Sequence, residues 1–116
     1  MPMQIENQIG KIVFSDETLK LLAGLTATEC YGIVGMASVS TSNGLAELLK
    51  RENMGKGVKL FIRDNKLTID LYVVVEYGLA ISTVAENIIE TVKYRIQEST
   101  GLAVNSVNIN VQGIRV

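Results

Sequence analysis

Gly57-Val58-Lys59-Leu60-Phe61-Ile62-Arg63-Asp64-Asn65-Lys66-Leu67-Thr68-Ile69-Asp70-Leu71-Tyr72-Val73-Val74-Val75 is the stretch on which the fold turns. Asp64-Asn65 supplies a two-residue hairpin turn, and such a turn fixes the register of the strands on either side. Arg63 then pairs with Lys66. Ile62 falls opposite Leu67, Leu60 opposite Ile69 and Val58 opposite Leu71, all on one face. The other face sets Phe61 against Thr68 and Lys59 against Asp70. Apolar meets apolar and opposite charges meet across the strands, the pairing that stabilises a sheet.

Beyond the hairpin, Thr83-Val84-Ala85-Glu86 has capping-box spacing, and Val84, Ala85, Ile88, Ile89, Val92 and Ile96 recur at helical intervals. Gly101 should end this helix, with Leu102 packing back on its last turn as in a Schellman ending. A final strand follows. Val107, Ile109 and Val111 alternate with Asn108, Asn110 and Gln112, whereas Ile114 and Val116 fall on the opposite parity, so a bulge at Gly113 would restore one apolar face.

Upstream, Gln8 to Phe14 has the length and β-branched content of a first strand. Ser15-Asp16-Glu17 offers a cap and an acidic first turn to a helix whose apolar face is Leu19, Leu22, Ala23 and Thr26. Gly24 sits inside it at a cost of about 1 kcal/mol relative to alanine, which suits a close helix contact. Gly32 helps end it. Ile33 to Val39 reads as a strand, Ser40 to Gly44 as a flexible loop, Leu45 to Arg51 as a short helix and Asn53 to Gly57 as a loop. The best strands are apolar on one face only. We therefore expect an α+β fold of two layers, a single largely antiparallel or mixed sheet with the helices on one side.

The 116 residues, 47% of them hydrophobic and 20% charged, suffice for one core, so residues 1–116 are expected to form a single domain. The longest apolar run, Leu71 to Val75, is far below the roughly 20 residues of a membrane span. The N-terminal residues lack the basic start and apolar core of a signal peptide, which predicts a cytoplasmic chain. The lone Cys30 cannot form an internal disulfide and reads as a buried structural thiol.

There is no histidine, which removes the usual neutral-pH base and the commonest zinc ligand, and with them Ser-His-Asp, Cys-His and His-containing zinc chemistry. Glu86 and Glu90 lie one helical turn apart without further partners and read as a solvated face. Asp70 and Glu76 share a strand face at roughly 20 Å, too far apart for a carboxylate dyad. No phosphate loop or dinucleotide glycine pattern occurs. These residues predict a protein that is not an enzyme, expects no small-molecule substrate and needs no metal or other cofactor to fold.

Charge is unevenly placed. Lys50, Arg51, Lys56, Lys59, Arg63 and Lys66 face only Glu52 and Asp64 in their stretch, and elsewhere five basic residues meet ten acidic ones. The basic stretch suits an anionic surface, and Lys50, Arg51, Lys56, Lys59, Phe61, Arg63 and Tyr72 are the candidate interaction residues. Phe61, Tyr72 and Val74 should project away from the helices. Gly32-Ile33-Val34-Gly35 has the spacing of the loop with which KH domains clamp nucleic acid, but it is apolar and continues as a strand pattern. The pI of 5.4 also disfavours nucleic acid. A KH-like nucleic-acid module is therefore the alternative reading.

Asp70 to Gly78, the helix after it, Thr100-Gly101-Leu102 and Val107 to Val111 together resemble the alkaline shock protein family. So do Gly10-Lys11-Ile12, Ala27-Thr28-Glu29 and Gly32 to Met36, and the likeness covers nearly the whole chain. The resemblance implies a non-catalytic cytoplasmic protein of Gram-positive bacteria, linked to envelope stress and held at the membrane by an anchor protein in some members. The long charged extensions of the stress-induced members are missing, so the chain resembles the small housekeeping type, and Ser82 stands where a helix-starting proline is common. Small members are often encoded beside a fatty-acid-kinase-like protein, which points toward lipid metabolism. The expectation is a scaffold or interaction protein, self-associating or docked on a membrane-anchored protein partner.

Overall fold

The computed structural model describes residues 3–6, 8–39, 46–48 and 55–116. In chain order the elements are β1 (Met3–Glu6), β2 (Lys11–Phe14), α1 (Asp16–Thr28), β3 (Ile33–Val39), β4 (Ala46–Leu48), β5 (Val58–Arg63), β6 (Lys66–Glu76), α2 (Ile81–Thr100) and β7 (Val104–Arg115). The fold is α+β.

The β5–β6 hairpin has the register the sequence dictates, from Arg63 opposite Lys66 to Val58 opposite Leu71. Asp64 and Asn65 both take positive φ, 53° and 59°. Two successive left-handed residues give the turn whose twist matches that of the flanking strands, and Asp and Asn tolerate it better than most residues.

β6 is the spine of the sheet. Along one edge its first half pairs with β5 and its second half with β3, both antiparallel. Its other edge pairs with β7 in parallel, after the crossover through α2. β3 runs on past β6 to pair with β4. The sheet is therefore mixed. Leu67, Ile69, Leu71, Val73 and Val75 alternate onto the face that meets Leu19 and Ala23 of α1 and Val84, Ile88, Val92 and Ile96 of α2, all within one cluster of buried side chains.

Ser15 caps α1, its Oγ accepting the Thr18 N–H at 3.1 Å. α2 departs from expectation at its start. The N-cap is Ala80, with no side-chain cap, so Thr83 lies inside the first turn and the Thr83–Glu86 capping box goes unused. The chain enters the helix three residues early because Leu79 and Ile81 pack against the core. Leu79 before the cap and Val84 in the first turn hold the positions of a hydrophobic staple. At the other end Gly101 takes φ +75° and donates to the Gln97 carbonyl at 2.9 Å. This is the single-bond left-handed ending, since the Leu102 N–H goes to Thr100 Oγ1 and not to a helix carbonyl as in a Schellman motif. Leu102 is buried, as expected.

Three further departures concern strands. Gln8–Phe14 is not one strand: the chain turns at 8–10, and Lys11–Phe14 pairs back on Met3–Glu6 as a separate two-stranded ribbon. Ala46–Leu48 is a strand where Leu45–Arg51 reads as a helix, because the free edge of β3 offers backbone partners that outweigh a weak helical pattern. In β7 the extra residue is Gln112, beside Gly113, since Val111 and Gly113 face consecutive residues of β6. That bulge brings Ile114 opposite Val75, and a second near Asn105 brings Val104 opposite Leu67. The Ser40–Gly44 loop lies outside the described residues.

Candidate interaction face

With both helices on one side, the other face of the sheet is built from alternate residues of β5, β6 and β7. β5 contributes Lys59, Phe61 and Arg63, which are exposed, and β6 contributes Thr68, Asp70 and Tyr72, which are half-buried. Asn108 and Asn110 of β7 stand opposite Asp70 and Tyr72. Four of the candidate interaction residues, Lys59, Phe61, Arg63 and Tyr72, thus share one surface. Lys56 is exposed on the 3-10 turn leading into β5, and Lys50 and Arg51 lie outside the described residues.

The side chains of this face choose partners that strand pairing alone does not reveal. Lys59 stands opposite Asp70, yet its ammonium lies 5.3 Å from the centroid of the Tyr72 ring, a cation–π contact. Asp70 Oδ1 instead accepts from Asn108 Nδ2 at 2.8 Å. Asn110 Nδ2 donates to the Leu71 carbonyl at 3.3 Å. Val74, expected as an outward apolar residue, is only 8% exposed and stands apart from the core cluster. The outward apolar surface therefore reduces to Phe61, 54% exposed, and the part of Tyr72 that Lys59 leaves open. At the hairpin end Phe61 and Arg63 join Asp16, Asn105 and Ser106 around a concavity of about 710 Å³.

Among the described residues no group of three or more Cys, Asp or Glu is placed to hold a metal ion. Gly32-Ile33-Val34-Gly35 is no clamp: Ile33 to Gly35 already run in β3, with Val34 as a bulge against β6, so no loop separates the two glycines. Among the described residues no helix is long and apolar enough to cross a membrane.

Cys30 is buried at the end of α1, its thiol 3.5 Å from the Thr26 carbonyl. Burial pushes the thiol up from its ordinary value, against the opposing pull of a Thr91 hydrogen bond and the Arg95 charge. A folded value above the unfolded 9.0 means that Cys30 favours folding below that pH and that this contribution fades as pH rises through the folded value. We expect the native thiol to react with a disulfide reagent at least about tenfold more slowly than the unfolded chain. Comparable rates would show that the site opens freely.

Residues 4–116 match the model of a family described as the alkaline shock protein 23 family, of cell envelope-related function. The uncharacterized protein YloU of Bacillus subtilis is 44% identical over 100% of this chain and 98% of its own length. The uncharacterized protein Spy1614 of Streptococcus pyogenes is 39% identical over 100% and 97%. A stress response regulator gls24 homolog of Streptococcus pyogenes is 24% identical over 91% of this chain, which spans 59% of that protein. No solved structure matches the chain significantly. With a family model covering residues 4–116 and a full-length relative at 44% identity, the chain belongs to the alkaline shock protein 23 family, whose function is related to the cell envelope.

Proposed function

We propose that this protein is a non-catalytic interaction module of cell-envelope homeostasis, a cytoplasmic scaffold that docks a membrane-anchored protein partner through the open face of its sheet. The observation that carries the reading is the grouping of Phe61, Lys59 and Arg63 on β5 beside Tyr72, an exposed aromatic ring between two cations. Aromatic and arginine side chains of this kind dominate protein interfaces, and flanking cations favour an acidic partner surface. The envelope link comes from the family.

The reading is tested by membrane fractionation of cells carrying wild type, Phe61→Ala or Arg63→Glu. Wild type should co-sediment with membranes. Phe61→Ala should weaken that association by about thirtyfold, the effect of losing an interface anchor worth about 2 kcal/mol. Its folding stability should change by no more than about 0.5 kcal/mol, as for other exposed positions. Equal membrane association of all three proteins would refute the face as the docking surface.

A further inference from the structure

The three sheet edges differ in one respect that bears on association. β4 has three residues, and β5 has six with Lys59 and Arg63 among them. Short length and basic side chains are the usual means by which an edge strand avoids pairing with another chain. β7 has twelve residues, pairs among the described strands with β6 alone and carries no charge from Val104 to Ile114. Its bulges sit near the ends, at Asn105 and Gln112, and leave Ser106–Val111 as regular strand. Alternate residues along its outer side present N–H and C=O groups that no strand among the described residues pairs with.

We propose that the outer edge of β7 pairs antiparallel with β7 of a second copy of this chain, across a twofold axis normal to the sheet, joining the two sheets into one. The sequence of the edge is what selects a second copy as the occupant. Val107, Ile109 and Val111 lie on the helix side and Ser106, Asn108 and Asn110 on the open side, following their β6 partners. A twofold axis normal to the sheet keeps both sets of helices on one side, so each residue must face one of its own parity. Every such register within Ser106–Val111 sets apolar against apolar and an amide or hydroxyl against an amide or hydroxyl, with no like charges opposed. Asn108 and Asn110 each use one amide hydrogen inside their own chain and retain a second donor and an acceptor, so the amides are complementary to themselves. Val111, 38% exposed, would gain cover from the facing Val107 or Ile109. Six paired residues supply about six backbone hydrogen bonds, within the ~10 ± 5 of a stable interface.

Phe61 lies across β6 from this edge, and although Ser106 lines both, separate variants let the two readings fail separately. The experiment is sedimentation velocity from micromolar to millimolar protein, with hydrogen exchange at the two extremes, on wild type, Val111→Lys, Val111→Thr and Phe61→Ala. Wild type, Val111→Thr and Phe61→Ala should dimerise, and amides of 104–115 should gain protection with concentration. Val111→Lys, which brings an ammonium to the pairing seam of each copy, should weaken the dimer on the order of tenfold or more. Its α2 and β5–β6 amides should keep wild-type protection, showing that it is folded. A wild type that stays monomeric overturns the proposal, as does a dimer that gains no protection in β7. A dimer lost in Phe61→Ala but retained in Val111→Lys would also overturn it, because the seam would then lie on the open face.

Discussion

Leu71→Ala should lower the free energy of unfolding by about 3–5 kcal/mol, while Phe61→Ala, on the other face of the same hairpin, should lower it by no more than about 0.5 kcal/mol. Leu71 is fully buried. It stands between Val58 of β5 and Ile109 of β7 in the middle of the spine strand. Strands hold it on two sides and helices cover it, so the site has little freedom to collapse around the missing atoms, and the loss contains both the transfer and the cavity contributions. Domains of this size are stable by only about 5–15 kcal/mol, so the variant sits near the limit of folding. Urea unfolding read by circular dichroism checks it: the midpoint should fall with an unchanged slope. A small loss in Leu71→Ala would mean that β6 is slipped by one residue, because such a slip moves Leu71 from the core to the open face.

What the residues disclosed in advance follows how local each decision was. The β5–β6 register was legible because it rests on two turn residues and on an alternation of apolar and polar side chains that only one pairing satisfies. α2 was legible in its buried face, Val84, Ile88, Val92 and Ile96, but not at its start, where packing of Leu79 and Ile81 overrode the capping pattern at Thr83–Glu86. β1 and β4 are four and three residues long, too short for periodicity to announce, and each exists because another strand offers it an edge. The same limit applies to the interaction face. Strand parity placed Lys59, Phe61, Arg63 and Tyr72 together, but parity says nothing of rotamers. Lys59 therefore turned to Tyr72 while Asp70 turned to Asn108. β7 required tertiary information of another kind, because its parallel pairing and its free edge depend on where the α2 crossover returns the chain.

Gly32→Ala is the second substitution expected to be severe, at about 2–5 kcal/mol, and Gly78→Ala is its control. Both glycines take φ +91°, a backbone that costs an ordinary L-residue about 1–2 kcal/mol. They differ in surroundings. A Cβ on Gly78 would meet nothing within 4 Å, whereas one on Gly32 would lie 3.0 Å from Leu79 Cδ1 and from both methyls of Val84. Those two side chains close the entry to α2, and the Gly32 carbonyl accepts the Glu76 N–H at 3.0 Å, tying the start of β3 to the end of β6 at the same point. Overpacking there adds about 1–3 kcal/mol to the backbone strain. Val84 is 8% exposed on a helix already seated in the core, so it has little room to retreat. The difference between the two variants isolates the packing contribution, since the strain is common to both. Thermal and urea unfolding of the pair should therefore rank wild type above Gly78→Ala and Gly78→Ala above Gly32→Ala. If the two alanine variants unfold together, Leu79 and Val84 yield to the added methyl without cost. The hydrophobic staple would then not be what fixes the angle at which the chain enters α2.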